Sequence, residues 1–119
     1  MQLLEEGYLL RIFIGEADKY EGKPLYEWLV LQAKEQRLAG ATVLRGMMGY
    51  GANSREIQTF KFTRLSEDLP IVVEIVDTKD RLEAYLETID ASIQAGMVTL
   101  EKATVRIYRG EWKEVNESS

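Results

Sequence analysis

Hydrophobic positions along the chain fall into runs that switch between a strand-like and a helix-like period. Tyr8-Leu9-Leu10-Arg11-Ile12-Phe13-Ile14 is apolar, rich in aromatic and β-branched residues and closed by Gly15 and Glu16, which predicts a buried first strand. A polar link from Glu16 to Lys23 leads to Pro24, whose fixed φ and missing N–H suit the first position of a helix. Leu25, Trp28, Leu29 and Ala33 then recur at helical spacing, Leu38 extends that side, and Gly40 stands where a C-terminal cap belongs, so a first helix is predicted over 24–39. Ala41 to Gly49 follows at once as a second strand, packed close because the link is so short. Gly49, Gly51, Asn53 and Ser54 mark a loop after it.

Beyond that loop, Thr59 to Arg64 is β-prone and Ser66 to Pro70 interrupts it, so the third strand, Ile71 to Val76, is expected with a bend or ribbon before it. Asp77-Thr78 is a good N-cap, and Leu82, Tyr85, Leu86, Ile89 and Ile93 recur at spacings of three and four before Gly96, which predicts a second helix. Met97 to Arg109 reads as the last strand, with a phase change near Lys102-Ala103 that suggests a bulge. The chain also echoes itself, Ala39-Gly40-Ala41-Thr42-Val43-Leu44 against Ala95-Gly96-Met97-Val98-Thr99-Leu100. The predicted class is therefore α+β: a ferredoxin-like split β-α-β (βαββαβ), with an antiparallel four-stranded sheet and two helices on one face. In the third strand Val72 and Val76 flank Glu74 on the side away from Ile71, Val73 and Ile75, so the second sheet face is also largely apolar, the mark of an oligomer interface.

A length of 119 residues, 45% hydrophobic and 29% charged, suits one soluble domain over 1–119, with a core of about 8–111 and a polar tail, 112–119, expected to fray. No apolar run approaches the ~18 to 20 residues that span a bilayer, and Glu5-Glu6 lacks the pattern of a secretory signal, so a cytoplasmic protein is expected. With no Cys and no His, the chain has no thiolate nucleophile, no Ser-His or Cys-His pair and no zinc site of the usual kind. A net charge of −5 is the wrong sign for a phosphate-backbone binder, so nucleic acid is not an expected partner.

Among candidate site residues, Gly46, Gly49 and Gly51 could let a ligand approach the backbone, or simply form a bulge and a turn. Arg45, Arg55, Arg106 and Arg109 could line an anion site or be solvated; Arg106, on the predicted last strand between Val105 and Ile107, faces away from their side. Glu16 and Asp18 are too few for a metal and fit a turn or a salt bridge with Arg11 or Lys19. Glu74 is either a buried acid or, preferably, the partner of an arginine across a subunit interface. Acid-base catalysis by Glu16, Asp18 or Glu74 would require two carboxylates converging on one cleft.

Three stretches, Gly40-Ala41-Thr42-Val43-Leu44-Arg45-Gly46, Gly49-Tyr50-Gly51 and Val105-Arg106-Ile107-Tyr108-Arg109-Gly110-Glu111, resemble the PII (GlnB-like) signalling superfamily, and within it the branch labelled domain of unknown function 190. The opening Arg11-Ile12-Phe13-Ile14-Gly15-Glu16-Ala17-Asp18 is similar to that branch, and the likeness runs from about Tyr8 to Glu111. The resemblance implies a homotrimer with effector clefts between subunits and a long mobile loop, about 50–60, that touches partners. It places Gly49, Gly51 and Arg106 at the superfamily's ligand site, so that with Gly46 and Arg45 these are the expected ligand-binding residues, and Tyr50, Asn53, Ser54 and Arg55 fall in the expected partner loop. Arg106 matches the first arginine of the superfamily's Arg-Ile-Arg-Thr-Gly strand, Tyr108 falls at the second, and the Gly-Asp-Gly-Lys clamp has no equivalent in Gln94-Ala95-Gly96-Met97-Val98. The expected role is a regulator, not an enzyme, with no obligatory cofactor or metal. Its effector would be a nucleotide or an anion, and its partner of the kind of a membrane transporter or channel. The alternatives are a small ferredoxin-like oligomeric enzyme using the intersubunit cleft, or a structural oligomer without ligand.

Overall fold

The computed structural model describes residues 6–51, 54–59 and 68–110, the side chains of 54–59 excepted. Asn53, the β-prone Phe60 to Arg64, Ser66 and the tail 112–119 lie outside the described residues. The elements are β1 (Gly7–Gly15), β2 (Lys19–Tyr20), β3 (Lys23–Pro24), α1 (Leu25–Glu35), β4 (Thr42–Arg45), β5 (Met48–Gly51), β6 (Ser54–Thr59), β7 (Pro70–Thr78), α2 (Lys79–Ile89), a 3-10 turn (Asp90–Ser92) and β8 (Met97–Ala103). The main sheet has four strands in the order β4-β7-β1-β8, all neighbours antiparallel. The ferredoxin-like βαββαβ arrangement is therefore present, with two small ribbons, β2-β3 and β5-β6, added to it.

The period-2 pattern makes the core. Leu10, Ile12 and Ile14 of β1 and Ile71, Val73 and Ile75 of β7 are buried on one sheet face against Leu25, Leu29 and Ala33 of α1 and Leu82, Tyr85 and Ile89 of α2. The opposite face carries a row that crosses all four strands, Leu44, Val72, Phe13 and Met97, beside a polar row, Thr42, Glu74, Arg11 and Thr99. Leu44 and Met97 at its two edges are about half exposed. The apolar second face read from Val72 and Val76 is thus present.

Four boundaries differ from those predicted, each for a local reason. Pro24 is the N-cap of α1 and not its first residue, because Lys23 and Pro24 form β3 of a hairpin whose turn, Glu21-Gly22, has positive φ at both positions. At its other end α1 stops at Glu35, with Arg37 rather than Gly40 in the left-handed conformation (φ 61°). The Arg37 N–H donates to Lys34 O at 3.0 Å and the Leu38 N–H to Ala33 O at 3.1 Å, the paired bonds of a Schellman cap. The second strand is split: β4 ends at Arg45, and β5 leaves the sheet to pair with β6. The segment read as a loop over 50–60 is therefore mostly a β-ribbon. Finally, β8 ends at Ala103, not Arg109, because Ala103 pairs with Gly7, the first residue of β1, where the ladder runs out. The phase change near Lys102-Ala103 marks the end of a strand, not a bulge, and Arg106 lies beyond it on no strand.

Candidate ligand-binding cleft

The cleft lies where the ribbon, the start of β7 and the turn before β8 come together. Gly46 and Gly49 pass over Pro70: a Cβ at Gly46 would lie 2.8 Å from Pro70 Cγ and one at Gly49 3.1 Å, and the Gly46 N–H donates to Pro70 O at 2.7 Å. The crossing sends β5 away from the sheet. On the far side Gly96, at φ 144°, sits so close to the carbonyl of Phe13 that no side chain fits there. Between these walls is a cavity of about 380 Å³. Phe13, Tyr50, Met97 and Pro70 give it an apolar lining, Gly49, Gly51 and Gly96 expose backbone, and Asp18 and Asp68 supply the charge.

Predicted residues divide accordingly. Gly49, Tyr50 and Gly51 line the cleft; nothing lies within 4 Å of a Cβ placed at Gly51, so that position is open. Gly46 is a crossing point and Arg45 a neighbour, its Nη1 donating to Glu16 Oε2 at 3.0 Å. Glu16 is thus in a salt bridge, with Arg45 instead of Arg11 or Lys19, and Asp18 is in a turn, its Oδ2 accepting from the Gly15 N–H at 3.0 Å. Ser54 and Arg55 open β6, opposite Gly51.

Arg106 is not brought to this cleft. Its neighbours Val105, Ile107 and Tyr108 line a second cavity of about 360 Å³ with Leu9, Thr42, Glu74 and Val76, at the other end of β1. Leu9 of the second cavity and Ile14 of the cleft are separated by roughly 17 Å of strand at ~3.3 Å per residue. Tyr108 fastens this segment by donating from its hydroxyl to Ala39 O at 2.8 Å. Arg106 does not have the orientation expected of a strand residue, because β8 ends at Ala103; it is exposed.

Glu74 does pair with an arginine, but within the chain. Arg11, directly opposite in register, donates through Nε to Glu74 Oε2 at 3.0 Å and through Nη1 to Glu101 Oε1 at 2.9 Å. The hydrogen bond donated to Glu74, opposed by burial and aided by the charge of Glu101, holds the Arg11 guanidinium above its already high ordinary pKa. Asp68, missed in the sequence, is the second charged group of the cleft, its Oδ1 accepting from the Ala17 N–H at 2.8 Å.

The ferredoxin-like sheet with a ribbon after its second strand is a fold shared with solved PII-like proteins. CPII of Thiomonas intermedia K12, a nitrogen regulatory PII-like protein solved with ADP, AMP and bicarbonate, superposes with a TM-score of 0.64 at 16% identity, over 85% of this chain and 89% of that one. The GlnK-ATP complex of B. subtilis gives 0.56 at 17% identity, over 89% and 91%. At such identities the likeness is one of fold. The chain belongs to the DUF190 family, described as "Uncharacterized ACR", whose model matches residues 7–105. A UPF0166 protein of Aquifex aeolicus (strain VF5) is 44% identical over 97 residues, 82% of this chain and 90% of the relative. Among the described residues no helix is long and apolar enough to cross a membrane.

Proposed function

We propose that the protein is a PII-like regulator that binds a nucleotide or anion effector in the Gly49-Tyr50-Gly51 cleft and signals through the β5-β6 ribbon. One observation carries the reading: the arm of the ribbon, Gly49 to Gly51, is also a wall of the cleft, so a ligand touches the element a partner would read. A ligand that binds better with the ribbon folded against it shifts the ribbon toward that state. PII-like proteins of this fold bound to ADP, AMP, bicarbonate or ATP support the choice of effector.

The sheet's open face, with its row Leu44, Val72, Phe13 and Met97, favours self-association, and a homotrimer is the form proposed. In the proposed trimer a neighbour's Arg106 and Arg109 would reach the cleft, which the chain's own Arg106 and Arg109 do not line. The reading is of a regulator rather than an enzyme, which the lack of Cys and His favours. The expected partner is a membrane transporter or channel, and the expected compartment the cytoplasm. Native mass spectrometry with hydrogen exchange tests this: trimers whose residues 48–59 gain protection with AMP, ADP or bicarbonate support it. A monomer, or a trimer whose ribbon exchanges identically with every ligand that binds, overturns it.

A further inference from the structure

Two carboxylates meet at Gly15, on the rim of the cleft. Asp18 Oδ2 accepts from the Gly15 N–H at 3.0 Å. The Asp68 carboxylate lies against Gly15, where any side chain on that residue would collide with it, and its Oδ1 accepts from the Ala17 N–H at 2.8 Å. Both aspartates are half-buried and both line the cavity. Among the described residues each therefore commits one oxygen to the turn between β1 and β2, and its second oxygen has no other hydrogen-bond partner. Because the backbone fixes both groups, their negative charges stay at the rim whatever enters.

We infer that Asp18 and Asp68 set the specificity of this cleft, selecting nucleosides and nucleoside monophosphates over di- and triphosphates. The inference rests on the proposed reading of the cleft as a nucleotide site and names which nucleotides it takes. Sugar hydroxyls donate to the second carboxylate oxygens, a purine lies between Phe13, Tyr50 and Met97, and each added phosphate brings more negative charge toward two fixed anions. Charge repulsion over several ångströms near a protein surface, screened at near-physiological salt, changes affinity by about tenfold in all. The turn before β8 adds no lysine to offset it, since Gln94-Ala95-Gly96-Met97 holds none.

The test is calorimetric titration of the full chain with adenosine, AMP, ADP and ATP, without divalent cations and at near-physiological salt. It is repeated on Asp18→Asn, Asp68→Asn and the double variant. Asparagine keeps an oxygen for the backbone bond and sets an N–H where the second oxygen stood, able to donate to a sugar hydroxyl oxygen, while removing the charge; melting curves confirm that each variant is folded. The expected order is adenosine or AMP tightest, then ADP, then ATP. The double variant should tighten ATP about tenfold while moving adenosine less than about threefold. If ATP binds the wild type as tightly as AMP, the specificity inference is wrong and the nucleotide reading stands. An unchanged order in the double variant removes the assignment to these aspartates. No heat with any of the four overturns the nucleotide reading and the inference with it.

Discussion

Asp77 and Asp68 stand at opposite ends of β7, and the chain uses the same carboxylate in two ways. Asp77 is fully buried, and both its oxygens are engaged: Oδ1 accepts from the Thr78 N–H at 2.7 Å and lies 3.0 Å from Arg81 Nε, while Oδ2 accepts from the Ala39 N–H at 2.8 Å. Arg81 also donates to the carbonyl of Arg37, the left-handed residue that ends α1. This one carboxylate thus joins the exit of α1, the end of β7 and the start of α2. Asp68 is half-buried with one oxygen bonded to the backbone, and it lines the cleft. A carboxylate with both oxygens engaged inside the protein can only fasten, whereas one with an oxygen to spare at a cavity rim can select.

The largest expected effect comes from breaking the fastened end. Asp77→Ala leaves the Thr78 and Ala39 N–H groups without their acceptor and Arg81 without its carboxylate. Losing one partner of a buried charged pair costs about 3 to 5 kcal/mol; the low end applies because the Arg81 side chain is 37% exposed and stays partly hydrated. Against a total stability of about 5–15 kcal/mol, the melting temperature should fall steeply. A loss below about 1 kcal/mol in chemical denaturation would show that Asp77 is no fastener. At the cleft end the rigid part is backbone: Gly96→Ala should cost about 2 kcal/mol, since φ 144° strains any side chain and the carbonyl of Phe13 blocks a Cβ. Unchanged stability would mean that this wall of the cleft yields.

Much of the fold was legible because its signals are local. Period-2 alternation in Leu10, Ile12 and Ile14, the i, i+4, i+8 spacing of Leu25, Leu29 and Ala33, and the Thr78 N-cap, whose hydroxyl accepts from the Arg81 N–H at 3.4 Å, each follow from neighbours in sequence. The differences arise from distant partners. Arg37 takes the cap position because the Leu38 N–H finds Ala33 O and Leu38 packs on the core, a tertiary choice that Gly40 does not advertise. Nothing beside Gly46 says that Pro70 will cross it, so the break between β4 and β5 was invisible, as was the end of β8, decided by where β1 begins. In the cleft, the glycines were legible and Asp18 was readable as a turn residue. Asp68 was not, because its meaning comes from Gly15, 53 positions earlier. Arg106 was assigned to the ligand by resemblance, and a single chain does not carry it there.

A smaller effect sharpens the contrast from within the core. Tyr85 is fully buried on α2 and its hydroxyl donates to Leu29 O on α1 at 2.8 Å, so Tyr85→Phe should cost about 1 kcal/mol. Burial pushes its hydroxyl pKa well above the usual value of 10.0. A raised pKa means that the folded state holds the proton more tightly than the unfolded chain. The corresponding stability is complete below about pH 10 and is lost as the pH rises from there toward the folded value. The wild type should therefore lose stability above pH 10 faster than Tyr85→Phe does; parallel pH profiles for the two proteins would refute this.

The smallest effect on stability is expected at the other aspartate, and that smallness is its diagnostic value. Asp68→Asn retains an oxygen for the Ala17 N–H and sits at a half-buried rim, so stability should stay within about 0.5 kcal/mol of wild type. Gly51→Ala, with open space around the added carbon, should be equally mild for stability and act only on the ligand in the cleft. The measurement is paired: denaturation midpoints beside nucleotide affinity for the same two variants. Unchanged midpoints with altered affinity separate the selecting end of β7 from the fastening end. A large loss of stability in Asp68→Asn would make both aspartates fasteners and dissolve the distinction between them.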